Sequence, residues 1–311
     1  MSDLEGAIMF VSILGNCNLS SLFSHRSKRL FIRGMTGTLG VLIGSNSSYG
    51  GVRSLSFCKG SDHFSPLTSI LRNYNPIKSF GPDLVFAYNS RQKTPDWVYE
   101  RIFPENLKGK VNRKSCNFLE DGDLHVTQRS RLSDYEGSGY SRGHMATCSN
   151  YRSDKRKMKK TFILSMICPQ ISKKFNSGIW AKVENFIQEK IRRLNANECA
   201  HIITGPLYLV QKDDQRSVVA YEVVGDGQVS VATHFFKVVF FEKNNNWESL
   251  SFVVPHQAIP SSKKAEDFFS TVEAVERLSG IVFSQYFEDE DPNLLVRERQ
   301  MPLIKDLEED E

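Results

Sequence analysis

Ser141-Arg142-Gly143-His144-Met145-Ala146 lies at the centre of the stretch that decides the fold, Ser138 to Glu184. Downstream of it, Thr161 to Cys168 is a short apolar run closed by Pro169, the pattern of a buried strand. Asn176 or Ser177 then offers a side-chain cap for a helix start. Trp180, Val183, Ile187, Ile191 and Leu194 recur at three- and four-residue steps and give that helix one apolar face. The order is therefore a strand carrying a histidine, a long basic connection, a second strand and a helix. Asn176 and Glu184 are eight residues apart. On a helix turning about 100° per residue they stand about 80° apart, so both border one site while the apolar stripe packs inward.

A histidine met by an amide and a carboxylate suits metal-assisted hydrolysis of a phosphodiester. The reaction needs water deprotonated near neutrality, and neutral imidazole has the matching basicity, so His144 reads as the general base. A neutral amide oxygen from Asn176 suits Mg²⁺, which keeps several of its waters, with Mn²⁺ as the alternative ion. Glu184 reads as holding one of those waters and orienting the cluster. Each residue alone has a plainer reading: a structural histidine, a helix cap, a solvated carboxylate.

The segment resembles the DNA/RNA non-specific endonucleases with a ββα-metal active site, whose signature is Asp-Arg-Gly-His. Within them it is similar to the mitochondrial exonuclease G-like branch, a sister of endonuclease G, where Ser often replaces that Asp. The resemblance covers roughly residues 70 to 288, through Pro95 to Tyr99, Asn112 to Phe118, Asp134 to Tyr140, Thr204 to Leu207 and Leu278 to Phe283. It implies an α+β, His-Me finger fold with a central, mainly antiparallel sheet flanked by helices. It implies cleavage of DNA and RNA to 5′-phosphate ends, by a homodimer. It also implies that Arg113 contacts the scissile phosphate and stabilises the charge of the transition state, and that Arg142 supports the site or binds phosphate. What favours the site over the plainer readings is this resemblance, to a family in which the amide and the carboxylate have the same eight-residue separation. Two departures stand out. Ser141 occupies the place of the Asp, and Gln188, one turn after Glu184, stands where relatives carry Arg. The first leans towards a 5′–3′ exonuclease rather than an apoptotic-type endonuclease. The second is the one argument for a nucleic-acid-binding protein with weakened chemistry.

The rest of the chain frames this centre. Of 311 residues, 40% are apolar, enough for a proper core, and the net charge of +4 is too mild to identify a partner. Charge distribution says more. From Arg152 to Arg193 there are twelve Lys or Arg against Asp154, Glu184 and Glu189. Arg152, Lys155, Arg156, Lys157, Lys159 and Lys160 cluster just after the histidine strand, where they would grip backbone phosphates without reading sequence. A solvated loop and a nuclear-localisation patch are the competing readings. The six cysteines form no Cys-x-x-Cys pair and read as reduced, buried thiols.

Residues 1–65 differ in kind. Between Glu5 and Asp62 there is no acidic residue, while Arg26, Lys28, Arg29, Arg33, Arg53 and Lys59 lie among many Ser and Gly. That is the composition of a mitochondrial transit segment, with a disordered tail or signal anchor as alternatives. The resemblance also favours mitochondria, and it implies the inner membrane or intermembrane space with the N-terminal segment as the membrane contact, the nucleus being a second location. Residues 66–290 read as the nuclease domain and 291–311 as an acidic tail. Within the domain, Leu84 to Tyr88 reads as a strand and Thr94-Pro95-Asp96 as a helix start. His201 to Val254 reads as a strand-rich supporting sheet in which His234 and His256 are structural, and Ser261 to Gly280 as a helix.

Overall fold

The computed structural model describes residues 30–35, 38–43, 75–213, 216–244, 246–283 and 296–298. The chain divides into two compact units, Met1–Ser65 and Pro66–Glu311. In the first, strands β1 (Leu30–Met35) and β2 (Thr38–Ile43) form an antiparallel hairpin. The rest of the expected targeting segment, and the acidic residues 306–311, lie outside the described residues.

The second unit is built on one large, almost wholly antiparallel sheet. Its strands are β3 (Ile77–Ser79), β4 (Leu84–Asn89), β5 (Thr94–Ile102), β8 (Cys199–Leu207), β13 (His234–Lys243), β14 (Asn246–Pro255) and β15 (Phe269–Ser270), in the spatial order β15-β14-β13-β8-β5-β4-β3. A last strand, β16 (Val296–Glu298), pairs parallel to β14. Outside this sheet, β6 (Tyr140–His144) and β7 (Ile167–Ile171) pair only with each other. Helix α1 (Lys155–Lys160) lies in the connection between them, and α2 (Ala181–Ile191) follows. Two short ribbons, β9 (Gln211–Asp213) with β10 (Arg216–Val218) and β11 (Val223–Val224) with β12 (Val229–Ser230), and helix α3 (Val272–Ser279) complete the fold.

Period-two patterning gives the central sheet two working faces. Phe235, Val239, Phe241, Ile202 and Val98 join the main core with α2, while Phe236, Val238, Phe240 and Leu207 join a second core with Val275. Each fully buried aromatic of this kind contributes about 1.5–3 kcal/mol of transfer free energy.

Three elements differ from their sequence reading. Thr94-Pro95-Asp96 starts strand β5, not a helix. Thr94 is buried rather than capping, and Trp97, Val98 and Tyr99 pair with β4 on one side while Val98 and Tyr99 also pair with β8 on the other, which overrides the local cap signal. The second strand of the histidine ribbon is displaced to Ile167–Ile171, so Pro169 sits inside it. An edge strand tolerates this, because β7 has no second neighbour to miss the absent N–H. The expected Ser261–Gly280 helix is split: Ala265–Phe268 is a 3₁₀ turn, Phe269–Ser270 is strand β15, and only Val272–Ser279 is α-helical; Thr271 accepts from the Ala274 N–H as its cap, and Gly280 ends it at φ 73°. Phe268, Phe269 and Val275 are buried, whereas Leu278 is exposed.

Gly205 is fixed by close approach. A Cβ there would lie 2.5 Å from the Asp96 carbonyl oxygen and 2.6 Å from the Phe236 ring. Gly205→Ala is expected to cost about 1–3 kcal/mol of stability by overpacking, read as a lower urea midpoint with an unchanged slope.

Candidate active site

The site is assembled on the β6–β7 ribbon. Gly143 is required between Arg142 and His144 because a Cβ would enter the side chain of Gln170 on the partner strand. His144 ends β6, is almost fully buried, and its Nε2 has no hydrogen-bond partner among the described residues. Its ring packs edge-on to Phe162 at 4.5 Å and against Phe118 at 5.2 Å. Burial, and next the positive charge of Arg113, hold its pKa down to about 3, so the imidazole is neutral at physiological pH but its basicity lies well below the near-neutral match expected from the sequence.

Asn176 and Glu184 do not lie on one regular helix. Ser172–Trp180 is a wide, π-type run broken at Gly178 (φ −101°, ψ −110°), and regular helix resumes with Ala181–Ile191. The angular argument from the sequence therefore gives way to a different cause of convergence. Asn176 Nδ2 donates to Ser141 Oγ at 3.0 Å, and Ser141 Oγ donates to the Gln170 carbonyl at 2.9 Å. Glu184 Oε1 accepts from Thr147 Oγ1 at 2.9 Å. The two side chains are thus tied three residues before and three residues after His144. With its N–H₂ engaged by Ser141, the Asn176 amide keeps its oxygen for another ligand. That donor set, one neutral oxygen and one nearby carboxylate, fits a hard divalent cation that retains water.

Beneath Glu184 lies a charge cluster that the sequence reading missed. Lys237 on β13 is buried, donates to Thr204 Oγ1 at 2.6 Å, and stands 5.1 Å over the Trp180 ring. Its field acts on Glu184 and on Glu100 of β5. Burial raises the pKa of Glu100 to about 7, against the opposing pull of Lys237, Asn150 and Thr147. Glu184 is likewise raised by burial, with Lys237, Thr147 and Arg113 opposing. Glu100 accepts from the Thr147 N–H and from Asn150 Nδ2, both at 3.2 Å, so it pins the loop after His144. The signal available in the sequence was a lysine inside the apolar run Phe235 to Phe241.

The arginines flank the same aromatic wall. Arg113 lies in a 3₁₀ turn with its guanidinium 6.0 Å from the Phe162 ring, and the Arg142 guanidinium is 4.7 Å from the Phe118 ring. Phe118 and Phe162, themselves 5.0 Å apart, therefore join both cations to His144. Gln188 does not stand open as a phosphate ligand. It is buried, donating to Ser149 Oγ at 2.6 Å and Asn150 Oδ1 at 2.9 Å and accepting from Arg192 at 3.1 Å. His256 is structural, accepting from the Ile171 N–H at 2.9 Å while its Nδ1 meets the Ala232 carbonyl at 2.8 Å.

The basic cluster divides. Arg152, Lys155, Arg156 and Lys159 are exposed. Lys157 pairs with Asp83 at 2.9 Å, and Lys160 stands 4.6 Å over the Phe80 ring. These two hold α1 against the β3–β4 turn, while the other four of the six expected phosphate contacts have no such local engagement among the described residues.

The profile of the DNA/RNA non-specific endonucleases matches residues 72–290. The chain is 35% identical to mitochondrial endonuclease G of Bos taurus over 222 residues, 71% of each chain. It is 34% identical to the mitochondrial nuclease EXOG of Homo sapiens over 207 residues, 65% of this chain and 55% of that protein. Among solved structures it resembles a crystal structure titled as an EndoG/EndoGI complex, with TM-score 0.63 and 35% identity over 67% of this chain and 84% of that one.

Removing the buried ammonium tests the charge cluster. Glu100 has a folded pKa raised above its ordinary value, so its ionisation opposes folding as pH rises through about 7. Lys237→Met removes the countercharge and is expected to cost about 3–5 kcal/mol near pH 8, and less near pH 5, where protonation relieves the carboxylates. Urea unfolding at the two pH values measures the difference.

Proposed function

The chain belongs to the DNA/RNA non-specific endonuclease family, and from that premise we propose that it hydrolyses phosphodiester bonds with His144 as the general base. The observation that carries this reading is the double tether: Asn176 on Ser141 and Glu184 on Thr147, one on each side of a neutral His144 whose Nε2 has no partner among the described residues. His144 accepts the proton of the attacking water. Arg113 and Arg142, carried on the aromatic wall, face the phosphate and balance its growing negative charge. Asn176 would hold the metal directly through its amide oxygen, and Glu184 through a water. When bound, a divalent ion supplies Lewis-acid stabilisation of the phosphate and of the leaving 3′ oxygen. Mg²⁺ is the ion proposed, with Mn²⁺ able to replace it.

The exposed Arg152, Lys155, Arg156 and Lys159 extend the phosphate contact along a strand, consistent with sugar- and sequence-independent binding. Mitochondrial residence is supported by the relatives' mitochondrial names and by the acid-poor, arginine-bearing N-terminal composition. Placement at the inner membrane or intermembrane space, additional residence in the nucleus, a homodimer, and a 5′–3′ exonuclease mode with 5′-phosphate products complete the proposal. Among the described residues no helix is long and apolar enough to cross a membrane.

The test uses the purified full chain with closed circular and linear DNA and with RNA, in Mg²⁺ and in EDTA. Turnover is expected only with the metal. His144→Ala should lower it by about 10²–10⁴-fold while DNA affinity is kept. Asn176→Ala should raise the metal concentration needed for half-maximal rate. Linear DNA cut faster than closed circles supports the exonuclease mode; the reverse order assigns an endonuclease. Turnover that survives His144→Ala would remove the proposed base.

A further inference from the structure

The opposite face of the central sheet carries a second group of metal-ligating side chains. On β8, Cys199 and His201 are two residues apart and point to the same face, and Glu242 on β13 is the register partner of Cys199. Cys199 Sγ lies 3.3 Å from His201 Nε2 and 3.3 Å from Glu242 Oε2, and His201 Nε2 lies 3.2 Å from the same carboxylate oxygen. The three donors form a nearly equilateral triangle. Zn²⁺ bonds of about 2.3 Å to sulfur and about 2.0–2.1 Å to nitrogen and oxygen, at tetrahedral angles, give donor separations of about 3.5 Å for the sulfur pairs and about 3.3 Å for nitrogen to oxygen. The triangle therefore matches one face of a zinc tetrahedron to within about 0.3 Å.

A second observation concerns the other ring nitrogen. Tyr99 Oη meets His201 Nδ1 at 2.8 Å. A polar partner on the nitrogen that does not face the other donors orients a ligating imidazole and fixes its tautomer. The His201 ring also packs against Trp247 at 5.3 Å, which limits its rotation. Arg101, whose field reaches His201 and Glu242, is itself neutralised by Asp83 at 2.8 Å.

We propose that Cys199, His201 and Glu242 form a binding site for Zn²⁺, separate from the catalytic centre, that clamps β8 to β13 and leaves the fourth position to solvent. The thiolate selects a borderline-soft ion over Mg²⁺. Cys199 is buried and Glu242 exposed, so the open position is on the outer side. Strand parity separates this site from the chemistry. Glu100 and Thr204, which serve the catalytic side, alternate along β5 and β8 with Tyr99, His201 and Ile203. A ligating cysteine must lose its proton, so binding exchanges the thiol proton for the metal: Zn²⁺ and the S–H give S–Zn and one released proton.

The full chain, stripped with chelator and dialysed, is titrated with Co²⁺ and then with Zn²⁺. The expected result is one thiolate-to-cobalt charge-transfer band that saturates at one ion per chain and is displaced by Zn²⁺, with one proton released per Zn²⁺ bound. The band should persist in Asn176→Ala and vanish in Cys199→Ser. Should Cys199→Ser fail to fold, Glu242→Gln at the exposed edge should weaken Zn²⁺ at least about tenfold, and Tyr99→Phe by about 10–100-fold. Absence of the band, its survival in Cys199→Ser, or Zn²⁺ affinity unchanged in Glu242→Gln would overturn the site.

Discussion

Lys237 is the charge on which the catalytic half of this molecule depends. A buried ammonium is costly, and so are two buried carboxylates; together, with Thr204 and the Trp180 ring completing the ammonium's surroundings, they are tolerated. The consequence is mechanical. Lys237 and Glu100 belong to one sheet, on the strands either side of β8, whereas Glu184 belongs to α2. Glu100 in turn holds the Thr147 N–H and Asn150, and Glu184 holds the Thr147 hydroxyl. A ribbon that shares no ladder hydrogen bond with the main sheet is thereby anchored to it just beyond His144. At its other end the anchor is His256, which accepts the Ile171 N–H and joins β7 to Ala232.

This anchoring explains how a two-stranded ribbon can carry precise chemistry. Isolated pairs of strands are marginal in water. Here every arm of the ribbon is fixed by a side chain from another element: Ser141 by Asn176, Thr147 by Glu100 and Glu184, Ile171 by His256. The hydroxyl of Ser141 matters in both of its roles, because it accepts from Asn176 and donates to the Gln170 carbonyl. An ionised Asp at that position could accept but not donate. The Ser in this chain therefore exchanges a negative charge beside the histidine for a bond that closes the ribbon. Gln188 follows the same logic. Where an Arg would carry charge, the amide instead satisfies Ser149 and Asn150 and so supports the loop that supports His144.

The sequence made the three central residues legible because their spacing and chemistry are local to one segment of the chain. Asn176 and Glu184 reach the histidine segment through tethers to Ser141 and Thr147 rather than from a common helix. The strand-rich stretch from His201 to Val254 was legible from its own strand and turn pattern, while the α+β class with its central antiparallel sheet came from the family resemblance. What was hidden depends on pairing between distant segments. Thr94-Pro95-Asp96 carries a strong helix-start signal, and only the partners β4 and β8 make it a strand. Lys157 and Lys160 read as free cations because Asp83 and Phe80 lie more than seventy residues away. Glu100 and Lys237 were not singled out in the sequence. Their burial follows from α2 and the ribbon covering that face, which strand periodicity alone does not reveal.

Register is the constraint common to both faces. Val98, Glu100 and Ile102 stand opposite Thr204, Ile202 and Ala200, and Lys237 stands opposite Thr204. The intervening positions place Tyr99 and Arg101 beside Ile203 and His201, with Cys199 opposite Glu242. Because side chains alternate strictly, a slip of one residue in β8 would send Thr204 away from Lys237 and His201 away from Tyr99 in the same step. The irregularity that ends the regular β4–β5 pairing, between Ala87 and Tyr88, falls at the far end of β5, near Pro95 and outside the segment paired with β8. The catalytic support and the Cys199–His201–Glu242 triangle are thus two readings of one strand alignment, and neither can be lost to misregistration without the other.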